Sequence, residues 1–141
     1  MRLVLDTNVV FSALRWRGKP YQLLETLSQH PDARLFSSPA LLEELAEVLA
    51  RPMAAQRLAL VGVTANAVLA LYRQVVEVVE PAFVPRVVRD ADDDQVIAAA
   101  LAAQADFIVS GDDDLLAIGS YQGIRIVTAA EALRRIEAGN G

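Results

Sequence analysis

Residues 1–10 read Met-Arg-Leu-Val-Leu-Asp-Thr-Asn-Val-Val. Leu3, Val4 and Leu5 form an unbroken apolar run that stops at Asp6. A strand with one wet face alternates apolar and polar residues, so a continuous run predicts a short strand buried on both faces. Asp6 then stands at its carboxyl end. A second stretch repeats the pattern: Phe107-Ile108-Val109 is apolar, and Ser110-Gly111 lead to three acids, Asp112, Asp113 and Asp114.

Working outward, Val9 to Leu14 and Tyr21 to Leu27 read as helices, with Gly18 and Pro20 breaking the pattern between them. Leu35-Phe36 is a weaker strand. Ser38 followed by Pro39 supplies a hydroxyl cap and a fixed φ for a helix running through Leu49 to Arg51-Pro52. The interval 53–62 has no decided pattern. Thr64 to Val76 reads as a helix, and Val78-Val79 as a short strand before a loop with Pro81 and Pro85. From Asp92 an alanine-rich helix runs through Gln104, with acids at its positive end. Leu115-Leu116 suits one helical turn, and Ile124 to Val127 a strand. Thr128 with Glu131 fits a capping box for a last helix to about Glu137.

Strands alternating with helices predict an α/β fold of three layers, α/β/α, with a mostly parallel central sheet covered on both faces. We expect a single domain over residues 1–138 and a C-terminal tail at 139–141. In such sheets ligands bind beyond the carboxyl ends of the strands, which puts Asp6 and Asp112 on one edge.

Composition narrows the chemistry. The 141 residues, 54% hydrophobic, suffice for one buried core. Charge interrupts every apolar stretch well short of the roughly 20 residues that span a bilayer, so no membrane segment is expected. The start reaches Asp6 too soon for a signal peptide, which favours the cytoplasm. With no cysteine and only His30, disulfide frameworks, thiolate or histidine-rich zinc sites and a histidine acid-base pair are excluded. A hard cation held by oxygens fits. The net charge of -5 argues against a protein that coats nucleic acid through broad positive potential. A local basic cluster, Arg15, Trp16, Arg17 and Lys19, reads equally as a solvated loop or as phosphate contacts.

The acids differ in how far geometry places them. Asp6 is held by a rigid strand, although Asp6 or Asn8 as a helix cap explains the same segment. On the helix after Pro39, Leu41, Leu45, Val48 and Leu49 form the apolar stripe; Glu43 and Glu47 project away from it, while Glu44 lies on its margin and can reach inward. Asp90, Asp92, Asp93 and Asp94 crowd one helix start, and helical periodicity does not separate Asp93 from Asp94. Asp112 to Asp114 suit a solvated turn as well as a site, with Asp112 favoured by its place beside the strand.

Taken in order, Leu3-Val4-Leu5-Asp6-Thr7-Asn8, Leu42-Glu43-Glu44-Leu45 with Arg51-Pro52, Arg89-Asp90 through Asp94, and Val109-Ser110-Gly111-Asp112-Asp113-Asp114-Leu115-Leu116 resemble the PIN-domain nucleases. The likeness runs almost end to end, and is nearest to the bacterial PIN proteins of toxin-antitoxin pairs. The resemblance implies a PIN-like fold and an endoribonuclease that binds Mg²⁺ or Mn²⁺ through Asp6, Glu44, Asp94 and Asp112. It prefers Asp94 to Asp93 because the family's third acid directly precedes an aliphatic and alanine helix. Asn8, Ser110 and Asp114 become supporting residues, and Arg15, Arg17, Lys19 and Arg89 candidate phosphate contacts. It also implies an RNA substrate, a small antitoxin partner and a homodimer or higher homo-oligomer.

Rival readings fit less well. An aspartyl-nucleophile phosphatase needs an acid two positions after the first, where Asn8 stands. A phosphoacceptor receiver needs a late lysine, and Lys19 is early. The non-enzyme rival is an RNA- or protein-binding PIN scaffold without catalysis.

Overall fold

The computed structural model describes residues 1–15, 19–60, 62–88 and 91–138. The elements are β1 (Arg2–Leu5), α1 (Thr7–Arg15), α2 (Lys19–Ser28), β2 (Arg34–Ser37), α3 (Pro39–Leu49), α4 (Pro52–Leu60), α5 (Ala65–Val75), β3 (Val76–Val78), α6 (Ala91–Ala103), β4 (Phe107–Val109), α7 (Asp113–Ile118), β5 (Ser120–Tyr121), β6 (Ile124–Val127) and α8 (Ala129–Ala138). The strands form one sheet in the order β3-β2-β1-β4-β6-β5, parallel except for β5. This is the expected mostly parallel sheet, with an antiparallel edge added.

β1 lies inside the sheet, Leu3 opposite Leu35 and Phe107, Val4 opposite Phe36 and Ile108. Its side chains alternate between two cores. Leu3 and Leu5 join Leu35, Val109 and Val127 under α1, α2, α3, α5 and α8. Val4 joins Phe36, Ile108 and Ile126 under α6, with Leu115 of α7. Both faces are therefore apolar, which is why the run from Leu3 to Leu5 shows no alternation. On α6, Ala99, Ala100 and Ala103 are fully buried. Methyl side chains bring that helix close to the sheet and leave its first turn, Asp92 to Asp94, at the sheet's carboxyl edge.

Caps fix where the helices begin. The Ser38 hydroxyl accepts the Leu41 amide at 3.3 Å, with Pro39 opening α3, and Thr64 does the same for α5 from Ala67 at 3.1 Å. At α8 only half of the expected capping box forms. Thr128 Oγ1 accepts the Glu131 amide, but the Glu131 carboxylate turns outward to Arg134 and Arg135.

Three details differ from the sequence expectation. The undecided interval contains α4. The strand expected at Val78-Val79 is β3 at Val76–Val78, because α5 ends at Val75, one residue before the expected Val76, and Val76 pairs with Leu35. β5, not anticipated, pairs with β6 through a turn in which Gln122 and Gly123 both have positive φ, 48° and 84°. The 139–141 tail lies outside the described residues. No single helix among the described residues is long and apolar enough to cross a membrane.

The chain moves outward from β1 to β2 and β3, then crosses back to β4 on the other side of β1. The reversal leaves a crevice beyond the carboxyl ends of β1 and β4.

Candidate metal centre

Asp6 emerges from β1 into that crevice. Its amide donates to Val109 O at 2.9 Å, tying the strand end to β4, and its carboxylate is buried, with 4% of the residue exposed. Ser110, wholly buried, follows β4 and is held by its amide on Val127 O. Its hydroxyl donates to Asp6 Oδ2 at 2.8 Å and accepts the Asp112 amide at 3.0 Å. One hydroxyl thus couples the two acids that the apolar strands deliver. Asp112 Oδ1 caps α7, accepting from Asp114 N at 2.8 Å and Leu115 N at 3.1 Å.

Burial pushes the Asp6 carboxyl above its ordinary range. The Ser110 hydroxyl and the Asn8 and Thr7 amides favour the anion and oppose that shift, whereas the negative charge of Asp112 adds to it. Placing an anion here is costly unless positive charge is supplied.

An open cleft of about 420 Å³ brings Asp6, Glu44, Asp93 and Asp112 together, with Asn8, Asp92, Gln95 and Arg51 also on its walls. Glu44 is half-buried, as its place at the stripe's margin suggests. Glu43 and Glu47 are exposed, yet they reach the same cleft at its rim. Carboxylate oxygens of Asp93, Asp112 and Asp114 all lie within 4.8 Å of one another, a spacing suited to a shared cation. Beside this cleft a second one runs past Ser12, Ser110, Thr128 and Ala129, sharing Asn8 and Asp112 with the first. The two adjoin at these shared residues.

Asp94 is placed differently from the other acids expected to bind metal. It is 4% exposed, and its Oδ1 accepts the amides of Val87 at 2.9 Å and Val88 at 3.0 Å. It is not on the cleft wall, where Asp93, 7% exposed, stands instead. Sequence periodicity leaves these neighbours equivalent; the approach of residues 87 and 88 separates them.

Of the expected phosphate contacts, Arg17 and Arg89 lie outside the described residues. Arg15 and Lys19 belong to α1 and α2, with their side chains outside the description. Arg51 carries no phosphate-contact role in the sequence reading, yet it is exposed on the acidic cleft. Its one signal was the Arg51-Pro52 step that ends α3. A separate apolar cavity of about 420 Å³ lies behind β2, lined by Leu24, Leu27, Val68 and Tyr72. Its acid, Glu77, is ion-paired with Arg34, so carboxylate chemistry belongs to the cleft and not to this cavity.

The donor set is hard oxygen throughout, from carboxylates following β1, on α3 and α6, and capping α7, and suits a hard divalent cation rather than a thiolate-bound metal. A parallel α/β sheet with clustered acids beyond its central strands defines the class. A PIN domain model matches residues 2–114, and the chain belongs to the PIN domain family. Two solved structures share the fold. VapBC2 from Rickettsia felis, bound to a DNA fragment from their promoter, matches at a TM-score of 0.61 and 16% identity, over 89% of this chain and 97% of that one. VapBC-1 from nontypeable Haemophilus influenzae matches at 0.59 and 17%, over 92% and 99%. No curated protein is significantly similar in sequence.

Proposed function

We propose that this protein is a metal-dependent endoribonuclease that hydrolyses RNA phosphodiester bonds, and that it acts as the toxin of a toxin-antitoxin pair. The observation that carries the reading is the meeting of Asp6, Glu44, Asp93 and Asp112 on one cleft, with Asp93, Asp112 and Asp114 at ligand spacing. These acids would hold Mg²⁺ or Mn²⁺, with Asp93 taking the place that the sequence resemblance gives to Asp94. Bound there, the cation supplies a water of lowered pKa and positive charge against the phosphate.

The chain's own residues do the rest. Ser110 keeps Asp6 and Asp112 in fixed orientation through its paired hydrogen bonds. Asn8 lines both clefts, so it would orient a strand where they adjoin. Glu44, on the cleft wall from α3, would be one of the cation's carboxylate ligands, and a carboxylate of the cleft would take the proton of the attacking water. Arg51 offers a planar fork to a non-bridging phosphate oxygen.

The antitoxin partner, the homodimer or higher homo-oligomer and the cytoplasmic location belong to the same proposal. The solved VapBC structures of like fold support the partner. Cleavage of single-stranded RNA should require added Mn²⁺ or Mg²⁺ and disappear in Asp6→Asn and Asp93→Asn. Equal activity in these variants, or no cleavage of varied RNAs by the wild type, would leave the non-catalytic scaffold as the better reading.

A further inference from the structure

Asp93 and Asp94 are consecutive, both buried, and turned to different tasks. Successive side chains on an α-helix are about 100° apart. On the first turn of α6 that rotation places Asp93 on the cleft and Asp94 against the segment that precedes the helix. Asp94 Oδ1 is a double acceptor, holding the amides of residues six and seven positions earlier. Val87 and Val88 in turn pack half-buried against the core that α6 covers. The 79–88 segment has no regular structure of its own among the described residues. Its two backbone bonds to Asp94, together with this packing, seat its end on the helix.

We propose that Asp94 is a positioning residue: by clamping Val87 and Val88 it fixes the rotation and position of the α6 start, and so aims Asp93 into the cleft. The inference rests on the metal-site reading, and it assigns ligation and positioning to different neighbours. A carboxylate ligand contributes negative charge to cation binding that a neutral amide oxygen lacks, whereas a clamp needs only an oxygen acceptor. Asparagine keeps the acceptor and drops the charge; alanine drops both. The clamp therefore tolerates Asp94→Asn, while Asp93→Asn weakens ligation strongly.

The test measures Mn²⁺ affinity by titration and amide exchange at Val87 and Val88, in wild type, Asp93→Asn, Asp94→Asn and Asp94→Ala. Asp94→Asn should keep amide protection and bind Mn²⁺ close to wild type. Asp93→Asn should keep protection and weaken Mn²⁺ binding far more than Asp94→Asn does. Asp94→Ala should lose protection at both amides and weaken Mn²⁺ binding on the order of tenfold, the usual cost of removing a group that orients a ligand. Mn²⁺ affinity falling as far in Asp94→Asn as in Asp93→Asn would make Asp94 a ligand and overturn the proposal. So would unchanged protection in Asp94→Ala. Should Asp94→Ala fail to fold, the two asparagine variants still decide between ligand and clamp. A wild type that takes up no Mn²⁺ would refute the metal site itself, while the exchange measurement would still decide the clamp.

Discussion

Replacing Ser110 by alanine removes a single oxygen from a fully buried position and breaks two hydrogen bonds at once. The bond to Asp6 is made to a carboxylate with 4% exposure, so bulk water does not replace it. Hydrogen bonds to charged groups contribute about 1.5–3 kcal/mol, and the Asp112 amide loses its acceptor as well. For a domain of this size, a loss of about 2–3 kcal/mol corresponds to a fall of roughly 5–10 °C in Tm. The loss should depend on pH. Asp6 has its folded pKa raised by burial, so its contribution to stability is fully present below the unfolded value of 3.8 and is lost as pH rises through the folded value. The Ser110 hydroxyl opposes that shift. Without it the anion is less tolerated, and the deficit of Ser110→Ala widens from acid to neutral pH. Thermal melts by circular dichroism in EDTA at several pH values measure this. A deficit that is negligible at neutral pH, or that shrinks as pH rises, would refute the argument.

Other outcomes follow from the same geometry. Asp6→Asn removes a buried charge and keeps an acceptor for Ser110, so in EDTA at neutral pH it should raise stability by about 1 kcal/mol, read as an increase in Tm, while cleavage is lost. Wild-type protein at a Mn²⁺ concentration 100 times its Kd should gain about 2.7 kcal/mol. That gain should shrink as pH falls and Asp6 takes up a proton; an equal Mn²⁺-induced Tm shift at acid and neutral pH would contradict it. Ala100→Leu on α6 forces a branched side chain between helix and sheet at a fully buried site, and should cost about 1–3 kcal/mol in urea unfolding.

Much of this fold was legible because burial leaves a direct mark on local sequence. The run Leu3-Val4-Leu5 pointed to a strand covered on both sides rather than one with a wet face, and Ser38-Pro39 announced α3 through a cap and a fixed φ. Glu44 was separable from Glu43 and Glu47 by its angle to an apolar stripe, and it is the half-buried one. What escaped depends on partners distant in sequence. β5 is two residues long and exists by pairing with β6, with no hydrophobic pattern of its own. Asp93 and Asp94 share one helical turn and one composition, so only the arrival of Val87 and Val88 separates them. Glu131 fitted a capping box by spacing, but two nearby arginines compete for its carboxylate at the exposed end of α8.

The convergence of acids on a cation is tested most directly by anomalous diffraction from a crystal soaked in Mn²⁺. The account expects a peak in the cleft about 2.1 Å from carboxylate oxygens, with Asp93 and Asp112 among its ligands and Asp94 still bonded to the amides of residues 87 and 88. A cleft without a peak, or a peak bound by Asp94 in place of Asp93, would contradict it.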